Sequence, residues 1–364
     1  MLKVAYLVHL NSDESSGVFK KIVSQVKIWQ SFGHEVKLFI VTRNPRVIQS
    51  AQSADLKLET AFYQLKNIKS RILAFTKAVK AIEIFRPHAV YLRRDLVYPT
   101  VYRLATLLPV VTEINSEELI ELQRHSKLQW IYHFFTRQLI DRHLKGMVFV
   151  TQELARYGYY GKLNLPKAVI GNGIDLEALP RLSVSKAKTP HLFFILGMPA
   201  LWHGIDKVMF LAREFPSWTF HIVGLTANDC PGAPRNVHFY GRLLLEEYLP
   251  IAAQAHVGIG TLALHRKGLN EASPLKVREY LALGLPVIIG YKDTDFSGQE
   301  PWICQIPNCE DNVQKSLGKI EEFVTRWMGQ RVNREAVAHL DYRVKEAKRL
   351  AFLESITGGG RSEC

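Results

Sequence analysis

Glu271-Ala272-Ser273-Pro274-Leu275-Lys276-Val277-Arg278-Glu279-Tyr280-Leu281-Ala282-Leu283-Gly284-Leu285-Pro286-Val287-Ile288-Ile289-Gly290 reads as loop, helix, turn and strand in twenty residues. Ser273 is expected as the helix N-cap, with Pro274 at the first helical position, where its missing N–H costs nothing. Lys276 to Leu283 continues the helix, and Gly284 stops it where a left-handed cap is needed. Pro286 to Ile289 is a short apolar run of the kind found in buried parallel strands. The start of such a helix presents free N–H groups and the positive end of its dipole, which suits a phosphate. Lys276 adds a full positive charge in the first turn, where the dipole disfavours a cation, so stability alone does not explain it. Glu271, in the loop before the helix, and Glu279, further inside it, bracket that charge. A basic, dipolar pocket with acids at its edge holds a phosphate in the middle and hydroxyl groups outside, the pattern that a nucleotide-sugar presents.

Outward from this stretch, strands and helices alternate in two runs. Residues 180–190 form a polar linker. After it come strands at His191–Leu196, Thr219–Val223, Val237–Tyr240 and Val257–Ile259, and helices at Asp206–Phe215 and Leu245–Gln254. Gly197 opens a loop that carries Trp202-His203-Gly204, and Gly241-Arg242 follows the third strand. In the first half, strands at Lys3–Val8 and Glu35–Val41 flank a helix at Val18–Phe32, whose stripe is Ile22, Val23, Val26 and Trp29. Ser15-Ser16-Gly17 at its start either offers backbone N–H groups to a phosphate or simply caps the helix. Residues 62–83 are expected as a basic amphipathic helix, and Gln123–Lys145 as one helix rich in aromatics and cations. Core packing explains those aromatics; membrane contact at one end is the sharper alternative. Strands at Ala89–Leu92 and Leu108–Thr112 place Arg93, Arg94, Glu113 and Asn115 just beyond strand ends, where open α/β sheets bind ligands. Met147–Thr151 and Lys167–Ile170 are further strands.

Two such runs in 364 residues imply an α/β chain of two doubly wound, Rossmann-like domains facing one cleft. The boundaries read as 1–175 and 176–338, with a final helix over 339–357 that would pack back on the first domain and a disordered tail at 358–364. No apolar run of about 18 residues or more appears, and the first residues read as a strand rather than a signal peptide, so a cytoplasmic protein is expected. Cys230, Cys304, Cys309 and Cys364 do not have zinc-site spacing, and no disulfide is expected. The net charge of +13 is uneven: residues 1–172 carry 25 Lys and Arg against 13 Asp and Glu, and the remainder 22 against 21. The basic half points to an anionic partner. No helix-turn-helix, zinc or aromatic-basic recognition motif accompanies it, so nucleic acid is not expected.

Glu271 and Glu279, with seven residues between them, resemble the paired-glutamate signature of retaining GT-B glycosyltransferases, and more narrowly of glycosyltransferase family four (glycosyl transferases group 1). Ser16-Gly17-Val18, Gly33-His34-Glu35-Val36, Thr151-Gln152-Glu153-Leu154, Gly171-Asn172-Gly173-Ile174-Asp175, Trp202-His203-Gly204-Ile205-Asp206 and Ser273-Pro274-Leu275-Lys276 are similar to further motifs of that family, over nearly the whole chain. The resemblance implies a GT-B fold, transfer with retention and no bridging metal or cofactor. It implies that Glu279 meets the ribose hydroxyls and Glu271 those of the donor sugar. Gly17 and the helix start at Ser273, Pro274, Leu275 and Lys276 would bind the diphosphate, with Lys276 offsetting charge on the leaving phosphate. Met198 and His203 stand where many members have Arg and Lys, so phosphate duty is expected to shift to Lys276 and to His203 or Arg242, with Gly204 beside His203 among the donor-binding residues. Glu113-Ile114-Asn115 stands where many members have a catalytic His, and resembles a subgroup with Glu-x-Asn there. The expected substrates are a UDP- or GDP-sugar and a glycan or lipid-linked acceptor, reached at the inner face of an anionic membrane. A hinge near residues 173–190 would close on the donor. A non-catalytic nucleotide-sugar-binding protein, or a carboxylate-pair glycoside hydrolase or phosphorylase, are the alternatives.

Overall fold

The computed structural model of the chain describes residues 1–11, 16–65, 67–197 and 200–358, without the side chains of Arg124 and His125. Ser15, Met198, Cys364 and the rest of the tail from Gly359, all invoked above, lie outside those residues, as does Lys66 within the expected 62–83 helix. The chain forms two compact units, Met1–Gly171 with Tyr342–Cys364, and Asn172–Asp341.

In the first unit, strands β1 (Lys3–His9), β2 (Glu35–Thr42), β3 (Leu58–Phe62), β4 (Ala89–Arg93), β5 (Val110–Ile114), β6 (Gly146–Phe149) and β7 (Lys167–Val169) make one sheet in the order 3-2-1-4-5-6-7. All its pairings are parallel. Helices α1 (Gly17–Ser31), α2 (Pro45–Ser53), α3 (Ile68–Phe85), α4 (Pro99–Leu107), α5 (Glu118–His125), α6 (Lys127–Asp141), α7 (Gln152–Arg156) and α8 (Gly158–Gly161) connect the strands. β1 shows why parallel strands read as unbroken apolar runs: Val4 to Val8 are all 0 % exposed. The strand order reverses between β1 and β4, so the end of β1 and the residues after Arg93 emerge side by side.

The second unit repeats this plan. Strands β8 (His191–Ile195), β9 (Thr219–Val223), β10 (Val237–Phe239), β11 (Val257–Ile259), β12 (Glu271–Ala272), β13 (Val287–Ile289), β14 (Lys292–Asp293) and β15 (Ile303–Gln305) alternate with α9 (Ile205–Glu214), α10 (Leu245–Gln254), α11 (Leu275–Ala282), α12 (Asn312–Lys315) and α13 (Leu317–Trp327). Six strands form a parallel sheet in the order β10-β9-β8-β11-β13-β15, while β12 and β14 pair separately. The reversal falls between β8 and β11. The last helix, α14 (Tyr342–Gly358), belongs to the first unit. Its buried face includes Lys345, Glu346 and Arg349, so the sequence there shows no apolar stripe.

Several expected elements shift. β3 takes only Phe62, the first residue of the expected 62–83 helix, and α3 begins at Ile68, where the Asn67 side chain caps it. α2, capped by Asn44 with Pro45 behind it, was not foreseen. The expected Gln123–Lys145 helix breaks at Ser126, whose extended backbone ends α5 and caps α6. β5 begins two residues later than expected, which draws Glu113 inside the sheet instead of beyond it.

Candidate functional site

Helix α11 is the element around which the second unit's site is built. Its N-cap is Pro274, with an extended backbone (φ −73°, ψ 136°) and no side-chain cap. Ser273 is therefore not the cap that the sequence suggested. Its hydroxyl instead accepts from the Asn172 N–H (2.7 Å) and the Arg278 guanidinium (2.8 Å), and the Asn172 amide donates to its carbonyl (2.5 Å). At the other end, Gly284 takes φ +88°, the left-handed stop read from the sequence.

Arg278 organises the approach to this helix, and sequence reasoning missed it. It is fully buried, donates to both carboxyl oxygens of Asp293 (2.5 and 2.7 Å), to Asp295 (2.6 Å) and to the Asn172 carbonyl (3.1 Å). The same side chain thus fixes the loop before α11, the residues after β14 and the entry to the unit. A buried guanidinium is tolerated only with such partners. The partners lie 15 and 17 residues away along the chain, so no local pattern announced them.

Lys276, in the first turn, reaches back over the end of β8. Its ammonium lies 4.3 Å from the Phe194 ring centre and 3.4 Å from the Ile195 carbonyl. Burial pushes its pKa down to about 7. His203 ends a short 3-10 turn (Leu201–His203) after β8, and Gly204 follows with φ +75°. A Cβ on Gly204 would come within 3.1 Å of Leu262, so glycine fits both the backbone and the packing. Burial, then the charges of Lys276 and Lys267, push His203 down to about 3. Its Nδ1 is buried without a hydrogen-bond partner among the described residues. Lys276 thus stands in the first turn of α11, and its charge and that of Lys267 reach the neutral His203, an arrangement in which an anion would be stabilised.

Glu279, three residues further along α11, accepts a 2.5 Å hydrogen bond from the Tyr248 hydroxyl of α10, which sets the direction of its carboxylate. The Tyr280 hydroxyl accepts from the Ile195 N–H at the end of β8 (2.7 Å). Glu271 lies on β12 and pairs with Lys292 of β14 at 3.2 Å. Pro274 and Leu275 are half-buried beside these groups. Arg242 is exposed beyond β10 at the sheet edge, two strands from β8.

In the first unit, Gly17 opens α1 after the Ser16 side chain caps it. Glu113 is 0 % exposed and lies 2.9 Å from the Lys21 ammonium, 3.3 Å from Arg349 and 3.8 Å from Arg93. Burial alone would raise its pKa, but Lys21, then Arg349 and Arg93, hold it down at about 2. Lys21 also donates to the Asn115 side chain at 2.9 Å. Arg349 and Glu346 pair at 2.5 Å, and Glu346 accepts from Trp29 at 2.9 Å. α14 thus supplies two charges to the middle of the first unit. Arg94 is held by Asp141 and Glu118.

A second group in this unit escaped the sequence reading. His9, the last residue of β1, lies 2.7 Å from Asp95 and 2.8 Å from the Tyr63 hydroxyl. Asp95 is held below the usual carboxylate range: burial opposes this, but the His9 hydrogen bond and charge, and Arg71, outweigh it. The signal available was positional. His9 ends, and Asp95 follows, the two strands that flank the reversal of order.

Comparison with known proteins agrees with this geometry at the level of fold. No protein-family pattern matches the chain, and no curated protein matches it in sequence. Solved structures do. A glycosyltransferase from Rickettsia africae is 12% identical with a TM-score of 0.70, covering 97% of this chain and 98% of that one. Sucrose-phosphate synthase from Thermosynechococcus elongatus is 12% identical with a TM-score of 0.68, covering 99% and 100%. The HepE protein of Anabaena, solved with UDP and glucose, is 13% identical with a TM-score of 0.67, covering 98% and 100%. The chain has the fold of the GT-B glycosyltransferases, with two Rossmann-like domains. At these identities the likeness defines the fold, and the reaction has to be argued from the site.

Proposed function

We propose that this protein is a retaining, metal-independent glycosyltransferase. It moves a sugar from a UDP- or GDP-sugar to a glycan or lipid-linked acceptor, in the cytoplasm at the inner face of the membrane, in cell-surface polysaccharide or glycoconjugate synthesis. The observation that carries the reading is Lys276 in the first turn of α11, whose charge reaches His203, with Glu279 on the same helix. In this reading the backbone at Gly204, Pro274 and Leu275 approaches the diphosphate, and Lys276 carries the charge that develops on the leaving phosphate. Glu279, oriented by Tyr248, meets the ribose; Glu271 meets the sugar hydroxyls. Asn115 is offered by Lys21, and Glu113 acts through Lys21 as a positioning residue because its carboxylate is wholly enclosed. His9, oriented by Asp95, is the first unit's group best placed to orient an acceptor hydroxyl.

The test is to incubate UDP- and GDP-sugars with candidate acceptors in EDTA, following nucleoside diphosphate release and the anomeric proton of the product. The reading expects acceptor-dependent release and a product with the donor's anomeric configuration. Equal release with water as the only acceptor would indicate a hydrolase. Inverted product, or a strict need for a divalent ion, would overturn the mechanism.

A further inference from the structure

Helix α6 is built inside out. The residues it turns into the protein are His133, Arg137, Ile140 and Asp141, three of them ionisable. Asp141 is held by Arg94 at 2.5 Å and by the Tyr159 hydroxyl at 2.9 Å, His133 pairs with Glu118 at 2.8 Å, and the Arg137 guanidinium lies 3.9 Å from the Tyr159 ring centre. Most of the residues it turns outward are apolar: Leu128 is 81% exposed, Phe135 70%, Leu139 48%, Ile131 46%, Tyr132 41% and Phe134 40%, with Lys127 and Gln138 the polar ones. Leu128, Ile131, Phe135 and Leu139 recur at helical spacing and form one stripe. A surface helix that faces water alone has the opposite pattern.

The charges around the stripe have one sign. Lys127 precedes it and Arg142 and Lys145 follow it, all exposed, while the helix's single acid, Asp141, is enclosed. The first unit as a whole carries 30 Lys and Arg against 16 Asp and Glu, and the second 17 against 18. An apolar aromatic stripe rimmed by cations is suited to the interfacial layer of a bilayer. Pairing two copies through this face would bring their Lys127, Arg142 and Lys145 groups together, a repulsion that anionic headgroups would instead relieve. No helix among the described residues is long and apolar enough to cross a membrane.

We propose that α6 lies on an anionic bilayer surface, with Leu128, Ile131, Phe135 and Leu139 in the interface and Lys127, Arg142 and Lys145 against the headgroups. The inference deepens the membrane-side part of the functional reading, and donor binding does not depend on it. It is tested by sedimenting the full chain with phosphatidylcholine vesicles, with and without phosphatidylglycerol, at two salt concentrations. The protein is expected to partition at least about tenfold more strongly to the anionic vesicles, and less at high salt. Leu128→Ser with Phe135→Ser, at exposed positions, should abolish the partitioning while thermal unfolding and nucleotide-sugar binding are unchanged. Lys127→Gln and Arg142→Gln should each weaken it about fivefold. Absence of binding, equal binding to neutral vesicles, or an unaffected double variant would overturn the proposal. So would a dimer in sedimentation equilibrium that the double variant dissociates, with no vesicle binding, since that would make a second copy the occupant.

Discussion

Replacing Lys276 by Met removes a charge whose state the fold has already weakened. The ordinary lysine value of 10.5 is lowered to about 7 by burial. At pH 7 about half of the free protein carries the proton there, and at pH 9 about one molecule in a hundred. A bound diphosphate would restore the charge, so binding above pH 7 must take up a proton. Apparent affinity should then fall about 50-fold between pH 7 and pH 9, or about 2 kcal/mol. The stability of the free protein moves the other way. The folded value lies below the unfolded one, so between about pH 7 and 10.5 the unfolded chain holds more protons, and stability rises with pH across that window. The assay is isothermal titration with a nucleotide-sugar, whose phosphates do not titrate in this range, in two buffers of different ionisation heat. Wild type should show proton uptake approaching one per site at pH 9. Lys276→Met should bind weakly and with a flat pH profile. Affinity independent of pH in the wild type, or an unchanged slope in the variant, would refute the assignment of Lys276 to the phosphate.

Arg349→Met should destabilise the first unit by roughly 3–5 kcal/mol in urea unfolding, because Glu346 and Glu113 lose a buried partner; an unchanged midpoint would show that α14 is held by its apolar contacts alone. In the second unit, burial first and then neighbouring histidines lower His221 to about 4, and burial first and then His191 and Arg331 lower His256 to about 4. Folded values below the ordinary 6.5 mean that their contribution is intact above pH 6.5 and lost as pH falls towards 4. The loss should be on the order of 3 kcal/mol for each histidine, checked by thermal unfolding across that range and reduced in His221→Gln. His9→Ala should lower turnover at least about tenfold while leaving nucleotide-sugar affinity unchanged, as expected of a group that orients the acceptor.

What could be read from the chain followed from local chemistry. Unbroken apolar runs such as Val4–Val8 marked parallel strands, and Gly284 marked the end of α11 because only a residue tolerant of positive φ fits there. Lys276 stood out in the chain because a cation at a helix start is locally unfavourable. The elements that were misjudged depend on distant partners. Ser273 looks like an N-cap in isolation, but Arg278 and Asn172 claim its hydroxyl. Glu113 moved from a strand end to the interior because three cations, one from α14 at the far end of the sequence, make its burial tolerable. α6 had no readable inner face, since its buried positions are charged and its apolar ones exposed.

The most direct test of the central claim is a thermal-shift screen of UDP-, GDP-, ADP- and CDP-sugars without added metal, wild type beside Glu279→Ala. A donor at about 100 times its dissociation constant should stabilise the wild type by roughly 2.7 kcal/mol. The account predicts that one nucleotide class gives this shift and that Glu279→Ala, with an unchanged unliganded midpoint, loses it. An equal shift in the variant, or no shift with any nucleotide-sugar, would contradict the assignment of α11 as the donor site.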